Sequence, residues 1–203
     1  MTLRIAIIVE GKTEGALAPA LQNFLKERLA GRMPKPRFFP EDGRLPTGEK
    51  LKGDVERHLK NNFVAVIALT DVYTGSRPPE FTNAGDAKEK MKRWVGQNPK
   101  FHPHAAQYEF EAWLLPYWSR IQDRSGNRRP PWSQNPESVD HDCPPAKRLK
   151  KLVRSGSNKR SYVKTRDAKA ILEGQDLALS AAQCPELKAF QNTLLSLAGG
   201  ATI

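Results

Sequence analysis

Residues 3–14 read Leu3-Arg4-Ile5-Ala6-Ile7-Ile8-Val9-Glu10-Gly11-Lys12-Thr13-Glu14. From Leu3 to Val9 the run is almost unbroken in apolar residues and rich in Ile and Val, the pattern of a parallel strand covered on both faces. Beyond it, Leu17, Leu21, Phe24, Leu25 and Leu29 recur at three- and four-residue spacing, which predicts an amphipathic helix from about Glu14 to Leu29. Arg37-Phe38-Phe39 reads as a short second strand. A polar stretch with Gly43, Pro46 and Gly48 follows, then a helix ending near Asn62, then a second buried-strand run from Phe63 to Leu69. Strand, helix, strand, helix, strand predicts an α/β fold: a parallel sheet between helical layers, joined by right-handed crossovers.

After Asp71 the order loosens. Gly75, Pro78 and Pro79 mark a loop over 74–83, a helix is expected over about 84–96, and His102 to Gln107 reads as a short strand feeding a helix near Glu109. Residues 123–145 are rich in Arg, Pro, Asn and Ser and read as an irregular insertion. The stretch 146–198 carries three or four short helices. The expected organisation is an α/β core over 1–122, the insertion over 123–145, and a basic helical C-terminal extension over 146–203 packed on the core.

Length and composition bound the function. The 203 residues suffice for one well-buried domain. No apolar run approaches the roughly 18–20 residues of a membrane-spanning helix, and the start MTLRIAIIVEG lacks the regions of a signal peptide, so a cytoplasmic protein is expected. Cys143 and Cys184 lie far apart and suggest free thiols rather than a disulfide framework or zinc site. The net charge is +11, and between Lys147 and Arg166 there are nine basic residues and no acidic one. Such a stretch concentrates polyanions and suits phosphate contacts; a solvated helix face in a basic protein is the plainer alternative.

In open parallel sheets ligands bind beyond the carboxyl ends of the strands. Glu10 terminates the first strand, Glu14 sits at the start of the next helix, and Asp71 ends the Phe63–Leu69 strand after Thr70. Taken singly, Glu14 reads as a helix-start acid favoured by the macrodipole, and Asp71 as a turn cap. Together, clustered carboxylates repel one another unless a cation neutralises them. An oxygen-only ligand set suits Mg²⁺ or Mn²⁺, and such a site activates water and stabilises the leaving oxygen of a phosphodiester. Gly11-Lys12-Thr13 imitates the tail of a phosphate-binding loop, but that loop needs a glycine at position 6, which is Ala.

Ile7-Ile8-Val9-Glu10-Gly11-Lys12-Thr13-Glu14 resembles the "VEGxTE" signature that opens the Toprim domains of OLD (overcoming lysogenisation defect) nucleases. The chain as a whole is similar to the domain of unknown function 4276 family of small Toprim-like proteins. Leu69-Thr70-Asp71-Val72-Tyr73 resembles that family's aspartate-x-tyrosine segment, Gln107-Tyr108-Glu109-Phe110-Glu111-Ala112-Trp113-Leu114-Leu115 its "HEFEALLF" block, and Pro145-Ala146-Lys147-Arg148-Leu149 its "PSKRL" block. These blocks span about residues 3–195.

The resemblance implies a Toprim (Rossmann-like) parallel sheet flanked by helices and a divalent-metal site on Glu10, Glu14 and Asp71, with Glu109 and Glu111 as further ligands. Either of the last two is equally a helix-start acid. Glu10, Asp71 and Lys147 would be catalytic, and Lys147 and Arg148 would engage phosphate, with Lys12, Lys150, Lys151, Arg154, Lys159 and Arg160 adding nucleic-acid contacts. The implied activity is that of a Mg²⁺- or Mn²⁺-dependent endonuclease acting on DNA or RNA, an effector of anti-phage defence with an ABC-type ATPase partner. A homo-oligomer is compatible with the sequence. The chain departs from the usual Toprim aspartate-x-aspartate at Tyr73, which puts a two-metal mechanism in doubt. A non-catalytic nucleic-acid-binding or ATPase-docking module is therefore the rival expectation.

His102 and His104 share one side of a strand without a third ligand nearby, and a structural role is expected for both. His141-Asp142-Cys143 falls in the insertion. Trp94 and Trp113 lie on apolar helix faces and read as core, whereas Trp132, beside Arg128 and Arg129, is the tryptophan expected to be exposed for base stacking.

Overall fold

The computed structural model describes residues 3–29, 31, 33–75, 79–127, 135–138, 143–158 and 160–203. Arg128, Arg129, Trp132, His141, Asp142 and Lys159 lie outside the described residues. Four parallel strands, β1 (Arg4–Val9), β2 (Lys35–Pro40), β3 (Ala65–Asp71) and β4 (Phe101–Ala106), form one sheet in the order β2-β1-β3-β4. This is the α/β class expected from the alternating strand and helix patterns.

Pleating assigns the layers. Ile5, Ile7 and Val9 point to one face with Ile67 and Leu69, where they meet Leu17, Leu21, Phe24 and Leu25 of α1 (Leu17–Arg28). Ala6, Ile8, Val66 and Ala68 point to the other, against Leu51 and Val55 of α2 (Gly48–Lys60) and Ala87, Met91 and Val95 of α3 (Ala84–Val95). The C-terminal helices join the α1 layer. After α4 (Trp118–Ser125), Leu149 and Leu152 of α5 (Pro145–Ser155), Ile171 of α6 (Lys164–Leu172), Leu177 of α7 (Leu177–Ala181) and Phe190 and Leu194 of α8 (Pro185–Leu197) all share the cluster of Ile5 and Ile7. Trp113 is buried there and Trp94 is half-buried against the opposite cluster. Among the described residues no helix is long and apolar enough to cross a membrane.

Three element boundaries differ from the expected ones, each for a local reason. The helix expected from Glu14 begins as a 3-10 turn, Glu14–Ala16, and becomes α-helical only at Leu17. Pro19 has no N–H for the carbonyl of Gly15 and its ring would clash there, so a regular helix cannot start earlier. Pro116 acts likewise downstream: the helix expected near Glu109 is a 3-10 turn, Phe110–Leu114, and α4 follows separately. The strand expected from Phe63 starts at Ala65, because Asn62 turns left-handed (φ 63°) and Phe63 N–H closes onto His58 O at 3.3 Å. Phe63 thus ends α2, and the strand extends through Thr70 to Asp71.

Both edge strands contain proline: Pro36 and Pro40 in β2, Pro103 in β4. A proline cannot donate to a ladder, and sheets confine it to edges.

Candidate metal centre at the carboxyl ends of the strands

The topology sets where the site lies. From β1 the chain leaves to α1 on one face of the sheet, whereas β3 leads to α3 on the other. Neighbouring strands whose connections part to opposite faces leave a crevice beyond their carboxyl ends. Glu10 and Asp71 stand at its two sides.

Every carboxylate here is held by a named donor. Glu10 Oε1 accepts from the Thr70 hydroxyl and from Asp71 N–H at 2.9 Å, tying the end of β1 to the end of β3. Glu14 reaches back from the 3-10 turn so that its Oε2 accepts from Gly11 N–H at 3.1 Å. Asp71 Oδ1 accepts from Phe110 N–H at 2.8 Å, and Glu109 Oε2 from Ala146 N–H at 2.8 Å, in the first turn of α5. Glu111, only 1% exposed, accepts from Lys164 Nζ through Oε2 at 3.4 Å, while its buried Oε1 lies 3.2 Å from the same ammonium without accepting a hydrogen bond. Lys164 Nζ is also 4.0 Å from Glu109 Oε1.

The turn leading to Glu109 is unusual. Tyr108 has φ 69°, a left-handed conformation that side-chain-bearing residues adopt at a cost. Tyr73 N–H donates to Tyr108 O at 2.7 Å, so the loop after β3 clamps this turn.

The electrostatics join these groups into one unit. Burial raises Glu14 to about 7, with the charges of Glu10 and Glu111 adding to it. Asp71 is raised well above the usual carboxylate range by burial and by Glu10, Glu14, Glu111 and Glu109. Burial also raises Glu10 and Glu109, although Thr70 and Asp71 N–H oppose it at Glu10 and Ala146 N–H opposes it at Glu109. Glu80, from the loop after β3, adds further negative charge near Glu10. Burial acts to lower Lys164, but Glu111, Glu109 and Asp71 outweigh it and hold the ammonium above its ordinary value.

Glu10, Glu14, Asp71, Glu109 and Glu111 thus act on one another across a single crevice. As they stand, no three Asp, Glu, His or Cys side chains among the described residues are grouped closely enough to hold an ion. The donor set nevertheless fits a hard divalent cation: it is all oxygen, charge-rich, and includes Glu111 Oε1, which accepts no hydrogen bond although the Lys164 ammonium lies 3.2 Å away.

The basic residues separate into two groups. Lys147, Lys150, Lys151 and Arg154 are exposed along α5 while Leu149, Leu152 and Val153 are buried, so they form a ridge starting at the turn that caps Glu109. Arg148 is half-buried, donating from Nε to Cys143 O at 2.8 Å. Lys12 is exposed in the loop between Glu10 and Glu14, and Arg160 is exposed before α6.

Lys164, the cation against the carboxylates, was not singled out from sequence, and neither was Thr70. Lys164 is one of nine similar charges in the Lys147–Arg166 stretch. What marks it is position: it opens α6, whose start is pinned by Asp167. Asp167 accepts from Val163 N–H at 2.7 Å and from Arg124 at 2.7 Å. His104 meets Thr193 Oγ1 at 2.9 Å and Phe190 edge-on, consistent with the structural role expected of it.

Fold and site together define a parallel α/β protein with a carboxylate-lined crevice at its topological switch point. The chain belongs to the family described as Domain of unknown function (DUF4276), which it matches over residues 9–195. Among solved structures it is similar to the C-terminal region of the Burkholderia pseudomallei OLD protein, at 16% identity and TM-score 0.45, covering 94% of this chain and 98% of that one. It is also similar to the C-terminal region of the Xanthomonas campestris pv. campestris OLD protein, at 13% identity and TM-score 0.43, covering 96% of each. No match is found among curated proteins.

Proposed function

We propose that this chain is a divalent-metal-dependent nuclease of Toprim type, with Mg²⁺ or Mn²⁺ held by Glu10, Glu14, Asp71, Glu109 and Glu111. The observation that carries this reading is the convergence of five mutually repelling carboxylates at the switch-point crevice, with Lys164 as their counter-charge. Groups that destabilise one another are accounted for by a ligand that neutralises them. A bound ion would supply Lewis acidity and a water of lowered pKa at the phosphodiester.

The chain's own residues do the remaining work. Thr70 and Asp71 N–H fix Glu10 and keep its Oε1 oriented across β1 and β3. Lys164, held by Glu111, offers positive charge to a phosphate oxygen as negative charge builds on it. The α5 ridge of Lys147, Lys150, Lys151 and Arg154 supplies backbone contacts that hold the polymer at the crevice, independent of sequence. An ABC-type ATPase partner and a role in anti-phage defence belong to the same reading. With Ala6 in place of the first glycine of a phosphate-binding loop, ATP dependence would come from such a partner.

Tyr73 favours a second reading. It stands where a second aspartate would be expected, and its backbone is committed to clamping Tyr108. A chain short of one ligand would bind nucleic acid or dock on the ATPase without cutting.

The deciding test is incubation of the purified protein with end-labelled plasmid DNA and total tRNA in Mn²⁺, Mg²⁺ or EDTA, beside Glu10→Gln and Asp71→Asn. Metal-dependent cleavage lost in both variants supports the nuclease and identifies its polymer. Absence of both cleavage and metal binding sinks it in favour of the second reading.

A further inference from the structure

On the α2 side of the sheet, pleating places Lys35, Arg37 and Phe39 of β2 beside Arg4 of β1, with Arg4 paired to Lys35 in register. β2 is the edge, and its side chains there include two cations where covered strands carry apolar residues. An open groove of about 630 Å³ lies along it, lined among others by Arg4, Arg37, Arg57, His58, Phe39 and Phe63. A second hollow of about 440 Å³, bounded by Lys35 and Pro36, continues past Arg4 and Arg37.

Two of the groove's cations lie over aromatic rings, and Arg4 also donates from one Nη to Asn61 O at 3.2 Å. The Arg4 guanidinium lies 4.3 Å from the centroid of Phe63, and that of Arg37 lies 5.2 Å from Phe39. His58 packs on Phe39 with centroids 4.2 Å apart, and Phe39 meets Phe63 edge-on at 5.5 Å. Among the described residues neither Arg4 nor Arg37 makes an ion pair, whereas Arg57 is paired with Asp54 at 2.7 Å. Edge-strand cations also discourage sheet-to-sheet aggregation, but that role requires neither convergence of three arginines nor the placing of two of them over rings. A guanidinium over an aromatic ring keeps N–H groups for phosphate, and guanidinium planes and rings are surfaces on which a base stacks.

We propose that this groove binds the backbone and unstacked bases of single-stranded nucleic acid. The inference rests on the nucleic-acid reading above and adds the form of the polymer: a strand whose bases are free to stack. The groove ends at Pro40 and Glu41, and Glu41 N–H donates to Val9 O at 2.9 Å, one residue before Glu10. A strand lying in it would be led toward the mouth of the carboxylate crevice.

The test is fluorescence anisotropy of labelled oligo-dT and oligo-rU in EDTA, on a Glu10→Gln background so that no chemistry intervenes. Arg4→Ala with Arg37→Ala is expected to weaken single-strand binding at least tenfold. It should also reduce the log–log salt slope by roughly 1.4, as for two lost phosphate contacts on a single strand. Duplex binding should persist and depend instead on Lys150 and Arg154 of α5. The deoxy and ribo oligomers show whether the 2′-hydroxyl matters. Unchanged affinity in a double variant whose thermal midpoint is intact overturns the proposal. So does equal loss of duplex binding, or equal competition by inorganic polyphosphate. Because binding is read without cleavage, an inactive crevice leaves this result standing, and an empty groove leaves the nuclease assay standing.

Discussion

Glu10, at the end of β1, accepts the backbone N–H of Asp71, at the end of β3, at 2.9 Å, so the Glu10 carboxylate is locked to the main chain of the neighbouring strand end. The same Oε1 takes the Thr70 hydroxyl. Glu10 therefore serves the sheet as well as any ligand, and the two roles separate by substitution. Glu10→Ala leaves the Asp71 N–H without acceptor and the Thr70 hydroxyl with only Asp71 O at 3.1 Å, and should cost about 2 kcal/mol in urea denaturation. Glu10→Gln keeps an acceptor oxygen, removes a charge, and should fold with near-normal stability while losing Mn²⁺ binding by calorimetry. Equal destabilisation by both would show that charge, not the acceptor, holds the strand ends.

The Glu14 carboxyl lies at about 7 in the folded chain against an ordinary 4.5, through burial and the neighbouring Glu10 and Glu111. The folded state thus binds more protons than the unfolded one between those values, and stability must fall as pH rises through that window. Metal-free protein should unfold at a lower urea concentration at pH 8 than at pH 5. Glu14→Gln should flatten that dependence, and millimolar Mg²⁺ should restore stability at pH 8 in the parent. A parent chain whose midpoint rises over the same range would contradict the assignment.

Lys164 is the cation inside the carboxylate group. In Lys164→Gln the crevice becomes more negative, so Mn²⁺ affinity should rise several-fold while cleavage drops at least a hundredfold. If Lys164 were only a structural tie, metal affinity and cleavage would move together, which paired calorimetry and cleavage measurements distinguish.

Asp167 is held at about 2, despite burial, by Arg166, the Val163 N–H and Arg124. Its contribution is fully present above the ordinary value of 3.8 and is lost as pH falls toward 2. Asp167→Ala should destabilise the chain by about 2 kcal/mol at pH 7, the loss of hydrogen bonds to a charged acceptor whose cationic partners reach solvent. It should also lower cleavage by releasing the start of α6 and with it Lys164. Rescue of stability but not of activity by Asp167→Asn would single out the charge as what orients the helix.

The acids nearest the first strand were legible because a charge closing a seven-residue apolar run has few structural explanations, and strand ends are where parallel sheets bind ligands. Glu109 and Glu111 were legible through the resemblance, and burial beside Asp71 is what the structure adds to them. Lys164 was not legible, because tertiary placement alone distinguishes it from the eight other cations of its stretch. The groove along β2 was hidden for a similar reason. Arg4 and Arg37 lie 33 positions apart in the chain and meet only through the β1–β2 register. Among the boundaries, Pro19 and Pro116 were on view in the sequence, but helical periodicity hid their consequence: both acidic 3-10 turns are shaped by a proline five residues further on, counted from Glu14 and Glu111.

The prolines of the outer strands bear on assembly. With Pro36 and Pro40 on one margin and Pro103 on the other, the sheet offers no continuous row of donors to a neighbouring copy at either end. Growth by strand addition is disfavoured in both directions. A second copy of the chain is therefore met more readily across helices and loops than by strand pairing, leaving the carboxyl-end opening of the sheet as a face that docking can cover or expose.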